Sequence, residues 1–301
     1  MTTDGPGRVS ARIALPFFRR RLWASLRPRP GAAPFVPFAA AALDRNPALT
    51  WIGHATFFFR LDGASFLTDP VFSPRVSPLS FAGPSRLVPP GVPLDALPRV
   101  DFALLSHDHY DHTDLPSVRA LAHRGVPFVV PTGVGGLVRE AGGTVAAELR
   151  WWEATEIAGV CVACVPARHF SGRGLTDRNR RLWAGFVVTG RERRVYHAGD
   201  TALFDGFAEI GHRLGPIDLA TLPIGAYEPR AMMGPVHLNP EEAVAAALAL
   251  GTRHVVGMHF GTFDLADEPL DEPPRRFLAE AAHRGLGDRA FTMAIGETRL
   301  F

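Results

Sequence analysis

The stretch Ser106-His107-Asp108-His109-Tyr110-Asp111-His112 puts three histidines and two aspartates into seven residues. Core packing gives no reason for such a run, because buried polar groups cost free energy unless they are paired. Val100-Asp101-Phe102-Ala103-Leu104-Leu105, just before it, is a short apolar run that predicts a buried strand. Thr113-Asp114-Leu115-Pro116, just after it, offers capping residues and a proline suited to the first turn of a helix. The cluster therefore belongs to a loop between a core strand and a helix, where functional side chains are commonly mounted. Extended backbone sends side chains two apart to the same side. On that pattern His107, His109 and Asp111 converge, with His112 reaching in from the following turn. Imidazole nitrogen and carboxylate oxygen are the ligands of zinc and similar borderline metals. The bland alternative is a solvated polar loop.

Working outward, residues 49–70 predict a hairpin: Thr50-Trp51-Ile52, then His54 to Leu61, a turn at Asp62-Gly63, and Ser65-Phe66-Leu67-Thr68. Residues 70–99 are rich in proline and carry little periodicity, which predicts a long surface loop of the kind that is often functional. Beyond the histidine cluster, helices are expected at Val118–Arg124, Val134–Ala141, Leu203–Arg213 and Pro274–His283. An Ala-rich helix opens at Asn239-Pro240-Glu241-Glu242. Strands are expected near Val126–Val130, Thr144–Arg150, Val160–Pro166, Leu182–Thr189, Arg193–His197, Asp218–Leu222 and His254–Met258. Strands first, then strands alternating with helices, with no internal repeat, predict one α/β domain of layered sheets covered by helices.

A metal site needs further ligands, and the best candidates share one context: an apolar strand running into a polar, glycine-containing turn. Val162–Pro166 leads to Ala167-Arg168-His169-Phe170-Ser171-Gly172. Arg194-Val195-Tyr196-His197-Ala198 leads to Gly199-Asp200-Thr201, and Val255-Val256-Gly257-Met258 leads to His259-Phe260-Gly261-Thr262. His123, His212, His254 and His283 sit in helix or strand patterns and read as structural or exposed, and His197 reads as packed.

The composition bounds the rest. With 301 residues, 47% hydrophobic and 21% charged, the chain is an ordinary globular protein with a sizeable core. A net charge of +2 gives no field for nucleic acid. All 32 basic residues are arginine, which accords with a biased Ala-, Gly- and Pro-rich composition. The only cysteines, Cys161 and Cys164, fall three apart in one predicted strand and so face opposite sides. They read as small core residues in a reducing, cytoplasmic compartment.

Residues 1–45 differ from the domain at 46–301: they form a basic, proline-containing N-terminal arm. Its apolar piece is too short for a signal peptide or a spanning helix. Leu15, Phe18, Leu22 and Leu26 fall at helical spacing among arginines, the pattern of a peripheral membrane-surface element. Pro16 argues against a continuous helix, and an arm docked on the protein's own surface is the alternative.

The pattern His107-x-His109-x-Asp111-His112, followed by His169, Asp200 and His259, resembles the metallo-β-lactamase superfamily. Several further stretches resemble the branch containing N-acylphosphatidylethanolamine-hydrolysing phospholipase D. They include Thr50-Trp51-Ile52-Gly53-His54-Ala55-Thr56, Phe66-Leu67-Thr68-Asp69-Pro70, Ser80-Phe81-Ala82-Gly83-Pro84 and Arg173-Gly174-Leu175-Thr176-Asp177-Arg178-Asn179. Pro223-Ile224-Gly225-Ala226-Tyr227-Glu228-Pro229-Arg230 and Asp267-Glu268-Pro269-Leu270 complete them. The basic arm lies outside this resemblance.

What the resemblance implies is a four-layered αββα hydrolase with two divalent metal ions, zinc by preference, with manganese or iron accepted by the same donors. His107, His109 and His169 would hold one ion, Asp111, His112 and His259 the second, with Asp200 bridging. Asp111 counts among the catalytic groups as well as the ligands. Tyr110 and His237 would be catalytic residues on the substrate side, and His54 and Asp69 would orient the ligands. Two divalent cations, two aspartates and a bridging hydroxide leave a charge of about +1, which suits an anionic phosphodiester. The implied substrate is an N-acylphosphatidylethanolamine-type phospholipid or a smaller phosphodiester. Hydrolysis of a lactone or other cyclic ester is the alternative enzyme reading. A non-catalytic, metal-stabilised protein at a membrane surface is a third.

Overall fold

Strands β1 (Ala48–Gly53), β2 (Thr56–Leu61) and β3 (Ala64–Thr68) form an antiparallel meander. Its alternation sorts side chains between two faces. Trp51, Phe57, Phe59 and Phe66 enter one core, while Ile52, Phe58 and Leu67 enter another. Because both faces are covered, the meander reads in sequence as nearly continuous apolar runs. The computed structural model describes residues 15–17, 19–21, 31–79, 81–174 and 176–301.

From the meander the sheet continues in parallel through β4 (Phe102–Leu104), β5 (Phe128–Pro131) and β6 (Val145–Leu149). Helices α1 (Leu115–His123) and α2 (Gly135–Glu140) make the crossovers and bury Val118, Leu121 and Val138 against its outer face. The second sheet repeats this plan. β7 (Ala154–Ile157), β8 (Val160–Val165), β9 (Gly185–Thr189) and β10 (Arg194–His197) run antiparallel. β11 (Leu219–Pro223), β12 (His254–Met258) and β13 (Ala290–Phe291) then continue from β10 in parallel. Helix α3 (Gly206–Leu214), the short α4 (Arg230–Met233), α5 (Pro240–Leu250) and α6 (Glu272–His283) complete this half. Phe207, Ile210, Val244 and Phe277 from three of these helices join the core of the second sheet. The last strand, β14 (Thr298–Leu300), returns to pair with β1. The result is the αββα sandwich expected from the sequence: among the described residues, two seven-stranded sheets lie face to face, with helices outside.

Helix α5 begins where the sequence places it. Asn239 accepts from Glu242 N–H, the Glu242 carboxylate accepts from Asn239 N–H, and Pro240 follows the cap. Two expectations change. Strand β7 has no counterpart in the reading, because its residues alternate between exposed and half-buried and so lack an apolar signal. The strand expected from Leu182 starts at Gly185. Leu182 N–H instead donates to the Thr132 carbonyl and Ala184 N–H to the Ser106 carbonyl of the other sheet.

Within the arm, residues 15–17 and 19–21 are helical. Phe17 is buried against Ala226, Met233 and Ala266, while Arg20 and Arg21 pair with Asp264 and Asp267. Phe18, Leu22, Trp23 and Leu26 lie outside the described residues. Residues 33–36 are tied to the sandwich: Ala33 N–H donates to the Gly261 carbonyl, and Val36 and Ile295 N–H groups donate to the Ile295 and Pro34 carbonyls. No described helix is long and apolar enough to cross a membrane.

Candidate metal centre

The polar residues collect at the carboxyl ends of strands of both sheets, where open α/β folds place their ligands. His107–His112 follow β4, His169 follows β8, Asp200 follows β10 and His259 follows β12. His237 lies between α4 and α5. The expected two-residue alternation does not run through the cluster. Backbone N–H groups of His112 and Thr113 both donate to the His109 carbonyl, at 3.1 and 2.8 Å, which closes a turn. That turn keeps His109 beside His107 but sends Asp111 toward a second group with His112 and His259.

The first group is His107, His109 and His169. Nδ1 of His109 lies 2.9 Å from His107 Nε2 and 3.2 Å from His169 Nε2. In the second group, Asp111 Oδ2 lies 3.3 Å from His259 Nε2 and 3.6 Å from His112 Nε2. Donors about 2.1 Å from a tetrahedral zinc ion stand about 3.4 Å apart, so these spacings match a ligand set. Asp200 sits between the groups. Its Oδ2 is 3.2 Å from His112 Nε2, 3.8 Å from His169 Nε2 and 4.0 Å from His107 Nε2, and its Oδ1 is 3.1 Å from His259 Nε2. Among the described residues, the buried Nε2 atoms of His112 and His259 and Oδ1 of Asp200 have no hydrogen-bond partner. Burying such atoms unpaired is costly, and a cation is the partner that lone pairs of this kind accept.

Outer contacts decide which nitrogens face inward. His112 Nδ1 donates to Asp69 Oδ2 at 2.7 Å, and His169 Nδ1 donates to the Val236 carbonyl at 2.9 Å. His107 Nδ1 meets Ser106 Oγ at 2.9 Å, and that hydroxyl donates to Asp69 Oδ2 at 2.7 Å. His54 Nε2 donates to Asp111 Oδ2 at 3.0 Å, so His54 steers a carboxylate with the nitrogen nearest the group.

Burial governs the charge states. It pushes the imidazoles of His54, His169 and His237 down to about 3 and that of His109 to about 4, which keeps them neutral and available as donors. For His259, burial is overcome by Asp200 and Asp111, which raise it to about 9. Burial is likewise overcome for His112, raised well above its usual value by Asp200, Asp111 and Asp69. The two carboxylates stay ionised despite burial because of these histidines. The centre is thus built to hold positive charge.

His237 and Tyr110 differ in placement. His237 Nδ1 is buried with no hydrogen-bond partner among the described residues, 3.9 Å from Asp200 Oδ2, with its ring 5.1 Å from that of His169. Tyr110 stands at the rim. Its hydroxyl donates to the Arg173 carbonyl at 3.1 Å, and the Arg173 guanidinium lies 3.8 Å over its ring.

A family model described as a β-lactamase superfamily domain matches residues 65–260 of the chain. The chain belongs to the metallo-β-lactamase superfamily. It is 41% identical over 263 residues to the N-acyl-phosphatidylethanolamine-hydrolyzing phospholipase D 1 of Caenorhabditis elegans, covering 82% of this chain and 74% of that protein. An uncharacterised protein of Mycobacterium tuberculosis is 45% identical over 260 residues, covering 83% and 69%. Among solved structures, a metallo hydrolase of the archaeon Ignicoccus hospitalis aligns with a TM-score of 0.64 at 23% identity, covering 84% and 98%. These relatives place the chain in the branch resembling N-acylphosphatidylethanolamine-hydrolysing phospholipase D, within a family of metal-dependent hydrolases.

Three contributors to this metallo-β-lactamase-type centre were not anticipated from sequence. Ser106 links Asp69 to His107, and His197 contacts Asp69 rather than merely packing. Asp108 accepts from Gly172 N–H and from Arg181, tying the His107–His112 loop to the loop after His169. The signal for Asp108 and Ser106 was their place inside the cluster. For His197 it was a polar side chain on a buried strand three residues before Asp200.

Proposed function

We propose that the protein is a dinuclear metal-dependent phosphodiesterase of phospholipase D type, acting on N-acylphosphatidylethanolamine-type phospholipids. The observation that carries this reading is a single buried carboxylate, Asp200, standing against both histidine groups. His107, His109 and His169 would hold one ion, and Asp111, His112 and His259 the other, with Asp200 shared. Zinc suits these donors best; manganese and iron also accept them. When bound, such a pair supplies Lewis acidity and an activated water near neutral pH. Two aspartates against two divalent cations leave the site positive, which favours an anionic phosphodiester. Similarity to a phospholipase of this specificity supports the lipid substrate.

The chain's own residues then divide the work. His54 holds Asp111 in place, and Asp69 holds His112 and, through Ser106, His107. His237, kept neutral by burial, offers one N–H to a phosphate oxygen or a leaving group without adding an imidazolium charge. Tyr110 would exchange its bond to the Arg173 carbonyl for one to the substrate. The arm would bring this chemistry to a membrane surface in the cytoplasm.

Turnover of a phosphodiester panel and a lactone panel, each with and without chelator, tests the reading. Chelator-sensitive hydrolysis of N-acylphosphatidylethanolamine is the expected result. Chelator-sensitive lactone hydrolysis alone would shift the assignment to cyclic esters, and no turnover of any substrate would leave a metal-stabilised binding protein.

A further inference from the structure

The two sheets meet beneath the metal centre at a small polar joint, and His197 is the side chain that closes it. His197 ends β10, three residues before Asp200, and is 2% exposed. Its Nε2 lies 3.1 Å from Asp69 Oδ2, and its Nδ1 lies 2.8 Å from Thr221 Oγ1 on β11. An ionised carboxylate only accepts, so Nε2 carries the proton, and the Thr221 hydroxyl is left to donate to Nδ1.

Asp69 follows β3 of the opposite sheet, and its carboxylate collects contacts. Oδ1 accepts from Ser106 N–H at 2.7 Å, and Oδ2 accepts from Ser106 Oγ and His112 Nδ1, each at 2.7 Å, as well as from His197. Through Ser106 the same carboxylate reaches His107. One proposed ligand of each ion is therefore oriented by Asp69, and Asp69 is tied to the second sheet by His197. The backbone is shaped for this closeness. Ala184 N–H donates to the Ser106 carbonyl, and Gly199 has φ +59° with no room for a side chain: a Cβ there would stand 2.5 Å from Ser106 Cβ.

We propose that His197 is a positioning residue for the metal centre: by donating to Asp69 it holds His107 and His112, carried by the first sheet, in register with Asp200, carried by the second. The inference rests on the reading that these residues hold metal. A histidine that merely filled space would act through its volume. A positioning histidine acts through its N–H, and the two roles separate when shape and hydrogen bonding are varied independently.

The test measures zinc affinity of the purified full-length protein by competition with a chromophoric chelator, for wild type, His197→Phe, His197→Gln and Thr221→Val. Contacts that orient metal ligands are worth about 10–100-fold in metal affinity, and His197→Phe is expected to lose that much. His197→Gln presents an amide N–H where Nε2–H stood and should recover most of the loss. Thr221→Val removes one hydrogen bond, worth about 2- to 13-fold, and frees the imidazole to turn its lone pair toward Asp69. Wild-type affinity in His197→Phe overturns the proposal, as does an equal loss in the Phe and Gln variants. If His197→Phe fails to fold, Thr221→Val decides, and unchanged affinity there overturns it. Wild-type protein that binds no zinc would overturn the metal reading itself, and this inference with it.

Discussion

Asp200→Asn keeps the volume of the side chain and one carbonyl oxygen but removes the charge that faces both histidine groups. The carboxylate stands 3.1–4.0 Å from ring nitrogens of His107, His112, His169, His237 and His259. With 3% of the residue exposed, solvent screens it little. Removing one partner from a buried charge set costs about 3–5 kcal/mol. At about 1.4 kcal/mol per decade, that is about two to four decades in metal affinity. Chelator competition gives the affinity, elemental analysis gives the stoichiometry, and the two should fall together with turnover. The variant should also release fewer protons on binding, because Asp200 is one of the groups raising His112 and His259. A variant that keeps two ions per chain at wild-type affinity, with full activity, would refute the shared role of Asp200.

Three other outcomes are expected. His237→Ala should keep its metal content and lose about 100- to 1,000-fold in kcat, the scale seen when one donor to a reacting group is removed; parallel loss of metal would make His237 a ligand. Ligation takes the lone pairs of His112 and His259, and the carboxylates raise both, His259 to about 9. Metal binding at pH 7 should therefore release protons, with affinity climbing as pH rises toward 9, and calorimetry in two buffers of different ionisation enthalpy will show no release if this is wrong. Deleting residues 1–30 should weaken binding to anionic vesicles, by about 1 kcal/mol for each basic residue that reaches the surface. Equal sedimentation of both proteins would end the membrane role of the arm.

The legible and hidden parts of this protein divide along a physical line. His107, His109, Asp111 and His112 are close in sequence, and an apolar strand before them with a capped helix after them marks their loop without any knowledge of the rest of the fold. His169, Asp200 and His259 were found by a rule with a structural cause: buried strands covered on both faces read as apolar runs, so the first polar residues beyond them mark the strand ends. The internal division of the cluster came from the resemblance and not from the spacing, because it depends on the His109 carbonyl accepting two N–H groups, and that turn has no glycine or proline to announce it. β7 was hidden because an edge strand need bury only part of its surface. The Asp69–His197 contact was the least visible feature, since it joins positions 128 residues apart on different sheets. Periodicity places each of them on a buried strand or at its end, but nothing in either local pattern says that the two strands face each other. A centre built across the seam of two sheets draws ligands from both, and so needs contacts that fix one sheet against the other. Such contacts must be buried and satisfied, because an unpaired carboxylate at that depth would cost more than the joint contributes. The four hydrogen bonds accepted by Asp69 meet that requirement, and they explain why a histidine rather than an aliphatic residue ends β10 at a position that strand packing alone would fill with valine or phenylalanine.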